Sequence, residues 1–270
     1  MSLVSTERRG GVAIVTYANP PIGTMTAAGA GEMLEAMTAL VEDDAVRAVV
    51  VTGGMPGIFI RHYDVGELST ASDRLAEPAP AAPAPAPQPG QRPGGFLGLV
   101  DLIASTGKPV IAAINGHCMG GGFELSLACD LRIAGRDVTS IGLPETRAGI
   151  FPGGGGTQRL PRVIGEAKAL EMVLRGRVLA AAAALELGLV HELADDPVAR
   201  ALEIGSEFAA RPPEGLAYAK RLTRAALDRP LSEGLADERA SFGEVVRLPS
   251  AVGAMKQSLA SAPLGTREPS

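Results

Sequence analysis

Cysteine and histidine are scarce in this 270-residue chain, which contains two and three of them respectively. The two cysteines, Cys118 and Cys129, form no C-x-x-C pair, and no second cluster of cysteine and histidine is present to complete a zinc site. The sequence therefore predicts no metal site. We expect both cysteines to be buried and to behave as small apolar side chains.

Long apolar runs and an excess of basic residues are missing as well. The first segment, MSLVSTERRGG, contains no apolar stretch of the signal-peptide type, and no run in the sequence is long enough to cross a bilayer. The 30 acidic residues outnumber the 25 basic ones, giving a net charge of -5. This balance argues against non-specific binding to nucleic acid or to anionic membranes. The sequence thus predicts a cytoplasmic protein with no nucleic-acid or membrane partner.

The chain does contain alternating strand and helix patterns. Three segments rich in β-branched residues predict strands of a sheet covered on both faces: 11–18, 46–54 and 109–115. Between the first two, apolar residues recur at helical spacing behind Thr26, which predicts a capped helix and a right-handed crossover. Beyond Gly165 the strand patterns stop, and helical segments follow one another. We therefore predict an α/β core over residues 1–195 and a helical region over 196–270.

Proline is concentrated in the segment AEPAPAAPAPAPQPGQRPGG, residues 76–95, which holds about a third of the chain's 21 prolines. Such runs favour extended polyproline conformations and cannot build a core. Strand patterns of similar character flank the segment, so it does not divide two domains. We predict that it is an inserted surface loop.

The segment PVIAAINGHCMGGGFELSLACDLRIAG, residues 109–135, places three glycines between a strand pattern and a helix pattern. Glycines at such a turn let the backbone approach a ligand and leave the first helix amides without internal partners. The spacing matches neither a dinucleotide motif nor a phosphate loop. We therefore predict an oxyanion site in which the Gly121 amide meets a carbonyl oxygen. Glu124 follows in the first helical turn, suited to proton transfer there, although a lone glutamate at this place is more often a helix-dipole or capping residue.

A second carboxylate, Glu145, follows Pro144 in LPETRAGIFPGGGGTQRLPRVIG, residues 143–165. Its irregular, apolar surroundings suggest no structural role for a charge. The chain has no GxSxG motif, and no Ser/His or Cys/His arrangement lies beside the glutamates. Two glutamates near an oxyanion site favour acid–base chemistry on an acyl group over covalent catalysis.

In the order and spacing of these motifs, the chain resembles the enoyl-CoA hydratase/isomerase (crotonase) superfamily. The segment GIFIRHYDVGEL, residues 57–68, and the segment 167–193 are also similar, and together the motifs cover most of residues 12–193. The resemblance implies a spiral of β-β-α turns with C-terminal helices that build trimers or paired trimers. It also implies an acyl-CoA substrate, with coenzyme A as part of that substrate and no separate cofactor.

The resemblance also implies which residues form the site. The two oxyanion amides of the superfamily correspond to Tyr63 and Gly121, and its two hydratase glutamates correspond to Glu124 and Glu145. Residues beside these positions are expected to bind substrate: Arg61, His62, Asp64, Gly120, Pro144 and Gly153. The superfamily chemistry requires no direct catalytic role for His62 or for the nearby His117, and Gln158 and Arg159 are expected to stabilise a helix.

The chain departs from the superfamily pattern in two places. Hydratases usually have F-x-A-G-A-D where this chain has F-I-R-H-Y-D, so bulky residues line the thioester loop while a backbone donor remains. We expect the acyl pocket to differ in shape, with the inserted loop near its mouth. The C-terminal AMKQSLASAPLGTREPS lacks the basic, aromatic ending by which hydratases often hold coenzyme A.

Both hydratase glutamates are present, so the resemblance predicts syn addition of water to a trans-2-enoyl-CoA, a hydro-lyase reaction. The glutamates would hold the water, with Glu145 as the proton donor to Cα. Two alternatives belong to the same superfamily: a double-bond isomerase and a CoA-thioester hydrolase. A third is a catalytically silent member that only binds acyl-CoA.

Overall fold

A computed structural model describes residues 2–76 and 93–260, without the side chains of residues 74–76. The strands in these ranges are β1 (Val4–Arg9), β2 (Val12–Tyr17), β3 (Ala48–Gly53), β4 (Gly57–Ile60), β5 (Val110–Ile114), β6 (Gly116–Met119), β7 (Leu131–Gly135), β8 (Ile141–Gly142), β9 (Val178–Leu179) and β10 (Glu192–Ala194). The helices are α1 (Ala27–Glu42), α2 (Val65–Ala76), α3 (Gly95–Ser105), α4 (Gly121–Ala128), α5 (Gly156–Ile164), α6 (Glu166–Leu174), α7 (Ala181–Glu186), α8 (Pro197–Ala209), α9 (Pro213–Ala225), α10 (Leu231–Val245) and α11 (Pro249–Ala260). Within these ranges no helix combines the length and apolar character needed to cross a membrane.

The larger sheet has six strands in the order β1-β2-β3-β5-β7-β10. Strand β1 is antiparallel to β2, and the remaining neighbours are parallel. The three segments predicted as strands are β2, β3 and β5, which lie side by side at its centre. Apart from Thr16, their β-branched residues are buried on both faces, as expected of parallel strands covered by helices.

Helix α1 begins where the sequence predicts. The Thr26 side chain accepts a hydrogen bond from the Gly29 amide at 3.1 Å and so satisfies one of the free N–H groups of the first turn. The helix buries Met33 and Met37 in the main core and packs along α3. The predicted strand–helix–strand unit is confirmed.

The expectation that strands end before Gly165 is wrong. Strand β9 pairs with β8, and β10 extends the larger sheet by pairing with β7. These strands have only two and three residues, which is too short for an alternating pattern to show in the sequence. Their partners, distant along the chain, provide the hydrogen bonds that define them.

A smaller sheet, in the order β4-β6-β8-β9, brings the two glycine and glutamate motifs together. The chain leaves the larger sheet at Asn115, whose side chain binds both the N–H and the C=O of Gly53. Strands β4 and β6 then run parallel, with Ile60 paired to Cys118. Because parallel strands end at the same edge, the residues after β4 and after β6 lie next to each other.

Other predictions have mixed outcomes. Both Cys118 and Cys129 are free and buried, as expected, and burial raises the pKa of each thiol. Most of the predicted inserted loop, residues 77–92, lies outside the described residues, so that prediction is untested. The division between a core and a helical region at residue 195 likewise stays a prediction.

The C-terminal helices are attached to the core through Asp130. The carboxylate of Asp130 lies 2.8 Å from Lys220 Nζ and 2.8 Å from Arg224 Nη2, both on α9, and accepts a hydrogen bond from the Val110 amide. The Lys220 side chain is only 9% exposed, and its ammonium also donates to the carbonyl oxygens of Ile103 and Lys108. Asp130 therefore compensates two cations of α9 at the edge of the core.

Replacing Asp130 with asparagine should lower the free energy of unfolding by about 2–3 kcal/mol, because a buried ammonium loses its counter-charge. Urea unfolding at neutral pH would measure the change. The control is Asp195→Asn, because Asp195 is 93% exposed and its ion pair with Arg136 should contribute less than about 1 kcal/mol. Equal effects of the two substitutions would contradict the anchoring role of Asp130.

Candidate active site

The loop after β4 presents the amide of Tyr63. The His62 carbonyl accepts a hydrogen bond from the Met25 amide at 2.8 Å, and the Asp64 amide donates to the Met25 carbonyl at 2.7 Å. Tyr63 lies between these two bonds in a parallel bridge with Met25, and it directs its own N–H away from Met25. The Tyr63 N–H thus has no partner among the described residues.

Asp64 holds this loop in place. One of its carboxylate oxygens accepts from the Thr24 hydroxyl at 3.0 Å, and the other accepts from the Glu67 amide at the start of α2. The Glu67 amide and then the Thr24 hydroxyl hold the pKa of Asp64 below its ordinary value. Asp64, expected to bind substrate, therefore uses both oxygens within the protein.

The turn after β6 presents the amide of Gly121. Gly120 has φ of +50°, a conformation that favours glycine, and its carbonyl accepts the hydrogen bond from the Glu124 amide that starts α4. Gly121 is the first residue of α4, so its N–H has no helical acceptor and no other acceptor in the described residues. If Gly121 carried a Cβ in the ideal position, that atom would lie 3.4 Å from the backbone nitrogen of Tyr63, so the two residues are in close contact. The two predicted oxyanion positions are therefore adjacent, each with a free N–H.

Glu124 is buried beneath the four-glycine turn at residues 153–156. Its side chain is fixed by the amides of Gly154 and Gly156, which donate to Oε1 at 2.7 and 2.8 Å. The residue is 4% exposed, and burial raises its pKa, while the two amides partly oppose that rise by stabilising the charged form. Glu124 is thus a positioned carboxyl group whose ionised form has two donors.

Gly154 and Arg159 belong to this arrangement, although the sequence did not identify either as part of the site. A Cβ on Gly154 would lie 2.7 Å from Glu124 Oε2, so only glycine allows this approach. Arg159 donates to the Gly154 carbonyl at 3.0 Å and lowers the proton affinity of Glu124 through its charge. Gly153, expected to bind substrate, is exposed at the beginning of the same turn.

Glu145 stands at the start of a short 3₁₀-helix, Glu145–Ala148, directly after Pro144. Both of its carboxyl oxygens are buried, and neither has a hydrogen-bond partner in the described residues. Burial raises the pKa of Glu145 to about 7, and the nearby charge of Glu124 acts in the same direction. Glu145 Oε1 would lie 3.3 Å from a Cβ on Gly120, so the carboxyl group rests against the turn formed by Gly120 and Gly121.

Arg61 and His62 complete the loop between β4 and Tyr63. The Arg61 amide donates to the Gly23 carbonyl and its carbonyl accepts from the Met119 amide, which continues the strand pairing up to the site. His62 Nδ1 donates to the Tyr63 carbonyl at 2.7 Å. The His117 Nδ1 and Arg61 Nε atoms are buried without partners in the described part of the chain. Substrate contacts of Arg61 and His62 stay predictions.

Phe96, at the start of α3, is a further site residue without a sequence signal. Its ring lies 5.7 Å from the Tyr63 ring, centroid to centroid, at an interplanar angle of 70°. A Cβ on Gly121 would lie 3.4 Å from its Cζ atom. The site therefore combines two free amides, two buried carboxyl groups and an aromatic pair.

Comparisons to known proteins identify the family of the chain. Residues 7–252 match the family described as enoyl-CoA hydratase/isomerase. The chain is 33% identical over 252 residues to the putative enoyl-CoA hydratase/isomerase YngF of Bacillus subtilis, covering 91% of this chain and 90% of that protein. It is 37% identical over 205 residues to the fatty acid oxidation complex subunit alpha of Idiomarina loihiensis; the match covers 75% of this chain but only 27% of that longer protein.

A solved structure gives the same result for the fold. The crystal structure of an enoyl-CoA hydratase from Bacillus anthracis superimposes with a TM-score of 0.83 at 28% sequence identity, and the match covers 97% of each chain. The predicted spiral of strand–strand–helix turns is thus confirmed. The superfamily resemblance noted from the sequence motifs is confirmed as well.

Proposed function

This chain belongs to the enoyl-CoA hydratase/isomerase family, and from that premise we propose that it hydrates trans-2-enoyl-CoA thioesters. The observation that carries the proposal is the presence of two buried carboxyl groups, Glu124 and Glu145, beside two adjacent amides that have no partner. Hydration uses both, because one proton leaves water and another reaches carbon.

The amides of Tyr63 and Gly121 are proposed to bind the thioester oxygen. When water attacks Cβ, the electrons of the double bond move toward the carbonyl, and negative charge develops on that oxygen. Two N–H groups already aimed at it stabilise this charge without rearrangement, and each contributes about 10²–10³-fold to the rate. The N-terminus of α4 adds its positive dipole end.

The glutamates are proposed to move the protons. Glu124, whose ionised form accepts two amide hydrogen bonds, takes a proton from water as the oxygen bonds to Cβ. Burial raises the pKa of Glu145 to about 7, so the carboxyl group is protonated in about half of the molecules at that pH. The protonated Glu145 donates its proton to Cα. The sum is syn addition of one water molecule, after which the proton on Glu124 is exchanged and Glu145 is protonated again. Proton transfer by each group contributes about 10²–10⁴-fold.

The direct test is to incubate the protein with crotonyl-CoA and with a 3-enoyl-CoA. Hydration removes the ultraviolet absorbance of the conjugated enoyl thioester and adds the mass of water to the product. Conversion of the 3-enoyl to the 2-enoyl thioester would instead identify an isomerase, and release of free coenzyme A would identify a hydrolase. Tight binding without any product would identify a silent binding protein.

The reaction should also depend on pH in a defined way. Glu145 must carry a proton in the active free enzyme, and burial raises its pKa to about 7. As pH rises through this value the proton is lost, so kcat/KM should fall about tenfold per pH unit above it. The measurement is kcat/KM for crotonyl-CoA from about pH 5.5 to 9. The kcat/KM for dehydration of the 3-hydroxy product should fall in the same way, because the ratio of the two kcat/KM values equals the equilibrium constant, which does not depend on pH. A kcat/KM that stays constant across this pH range would contradict the assignment.

We further propose that the chain assembles as a homotrimer or a dimer of trimers and uses no cofactor beyond the coenzyme A of its substrate. The proposal for assembly is supported by large apolar side chains exposed on or beside the C-terminal helices. Leu231 is 77% exposed, Phe242 66% and Leu259 88%. Covering these side chains with another subunit would remove their apolar surface from water.

A further inference from the structure

Phe96 connects the two halves of the site. A Cβ built on Gly121 would lie 3.4 Å from Cζ of its ring, and a Cβ on Gly154 would lie 2.5 Å from Cε1. Gly121 carries one of the proposed oxyanion amides, and the Gly154 amide donates to Glu124. The Phe96 ring therefore reaches from Gly121, with its proposed oxyanion amide, to Gly154, whose amide holds Glu124.

Tyr63 encloses the same space from a second direction. The Cβ atom of Tyr63 lies 3.2 Å from the position that a Cβ on Gly121 would take. The Tyr63 ring meets the Phe96 ring edge to face. This geometry is favourable for an aromatic pair, so each ring restrains the other. The space beside the Gly121 amide is consequently bounded by two aromatic rings.

A groove of about 1470 Å³ lies between α3, α5 and α9, next to this aromatic pair. Gly154, the glycine on which the Phe96 ring packs, forms part of its wall, together with apolar side chains that include Leu97, Val100 and Val163. The five cationic side chains in the wall each lie in an ion pair, as Arg159 does with Asp101, although Lys220 and Arg224 share the carboxylate of Asp130. Because most of this charge is paired within the protein and apolar side chains also line the wall, the groove can receive an aliphatic chain.

We propose that Phe96 closes the acyl site against this groove, so that the protein selects thioesters with a short acyl group, such as crotonyl. The inference rests on the proposed function, because it assigns a substrate class to the same site. A short acyl group is accommodated between the amides and the ring, whereas a longer chain meets the ring before it reaches the groove. Removing the Phe96 ring joins the space beside the two amides to the groove between α3, α5 and α9, so that the longer acyl chain can enter the groove.

The test is isothermal titration calorimetry with butyryl-CoA and decanoyl-CoA, which are saturated and cannot be hydrated. The unmodified protein should bind butyryl-CoA at least about tenfold more tightly than decanoyl-CoA. Phe96→Ala should reverse this preference, because the added methylene groups become buried in the groove. Phe96→Leu, which preserves more of the packing, should give an intermediate ratio. The control is Leu170→Ala, which removes an apolar side chain that is 54% exposed on α6 and should leave the ratio unchanged.

Either of two outcomes would overturn the inference. One is that the unmodified protein binds decanoyl-CoA as tightly as butyryl-CoA or more tightly, and the other is an unchanged ratio in a Phe96 variant with a native circular dichroism spectrum. Neither ligand has a double bond to hydrate or to shift, so the result does not depend on hydratase or isomerase turnover, and recovery of the intact thioester after the titration checks that neither ligand is hydrolysed. Failure to hydrate crotonyl-CoA would instead contradict the proposed function, and the binding ratio would still test the role of Phe96.

Discussion

Replacing Glu145 with glutamine is expected to lower kcat for hydration of crotonyl-CoA by about 10²–10⁴-fold. Glutamine keeps the shape of the side chain but has no proton to donate to Cα. Binding of the unreactive butyryl-CoA should persist, because the amides of Tyr63 and Gly121 are untouched. Stopped-flow or steady-state measurement of enoyl absorbance, together with calorimetry, would separate the two effects.

The same substitution should stabilise the fold at alkaline pH. Burial raises the pKa of Glu145 from its ordinary value of 4.5, which applies to the unfolded chain, to about 7 in the folded protein. The contribution of Glu145 to the free energy of unfolding is therefore fully present below pH 4.5 and is lost as the pH rises through about 7. Glu145→Gln should therefore raise Tm by a few degrees near pH 8 and by much less near pH 5. A higher Tm with a lower kcat is the signature of a buried group retained for chemistry.

Two further variants make the Glu145 result interpretable. Glu124→Gln should lower kcat to a similar extent, because the group that accepts the proton from water is lost. Glu186→Gln, at the exposed end of α7, is a matched control and should leave kcat within about twofold. Hydration at the unmodified rate by either the Glu124 or the Glu145 variant would contradict the assignment of paired carboxyl groups.

Replacing Gly121 with proline is expected to lower kcat/KM by about 10²–10³-fold, because it removes one of the two amide donors proposed for the thioester oxygen. Proline is well tolerated at the first position of a helix, so α4 should still form. Circular dichroism and thermal unfolding would confirm that the variant is folded before its kinetics are compared.

Gly121→Ala separates the loss of the amide from crowding. Alanine keeps the N–H but adds a Cβ that would lie 3.2 Å from Cβ of Tyr63 and 3.4 Å from Cζ of Phe96. These contacts are tight, and we expect a loss of about tenfold or less. If the alanine and proline variants are equally impaired, crowding explains the result, and if the folded proline variant is fully active, Gly121 is not an oxyanion donor.

Local sequence was sufficient for the elements whose sequence pattern is long enough to recognise. The β-branched runs that became β2, β3 and β5, and the Thr26 cap of α1, were predictable because each pattern consists of residues close together in the chain. The short strands β9 and β10 were not predictable. Two or three residues carry no periodicity, and they become strands only because β8 and β7 supply hydrogen bonds.

The glycine and glutamate motifs pointed to the site, but the contacts around them did not follow from those motifs. The carboxyl group of Glu124 is held by amides of Gly154 and Gly156, which are 30 and 32 residues further along the chain. Phe96, directly after a proline-rich segment, matched no motif at all. Its role depends on two glycine turns, at Gly121 and Gly154, which meet only after the smaller sheet has formed.

The sequence by itself determined which chemical groups are present and where the chain turns, because residue identity and local backbone preference are properties of short segments. Only the tertiary structure decided how those groups behave. Glu124 and Glu145 are the same residue type, yet one has two amide donors and the other has none. Burial raises the pKa of both groups, but only at Glu124 do two backbone amides oppose that rise. Distant segments create this difference in hydrogen bonding, and it underlies the proposed division of base and acid between them.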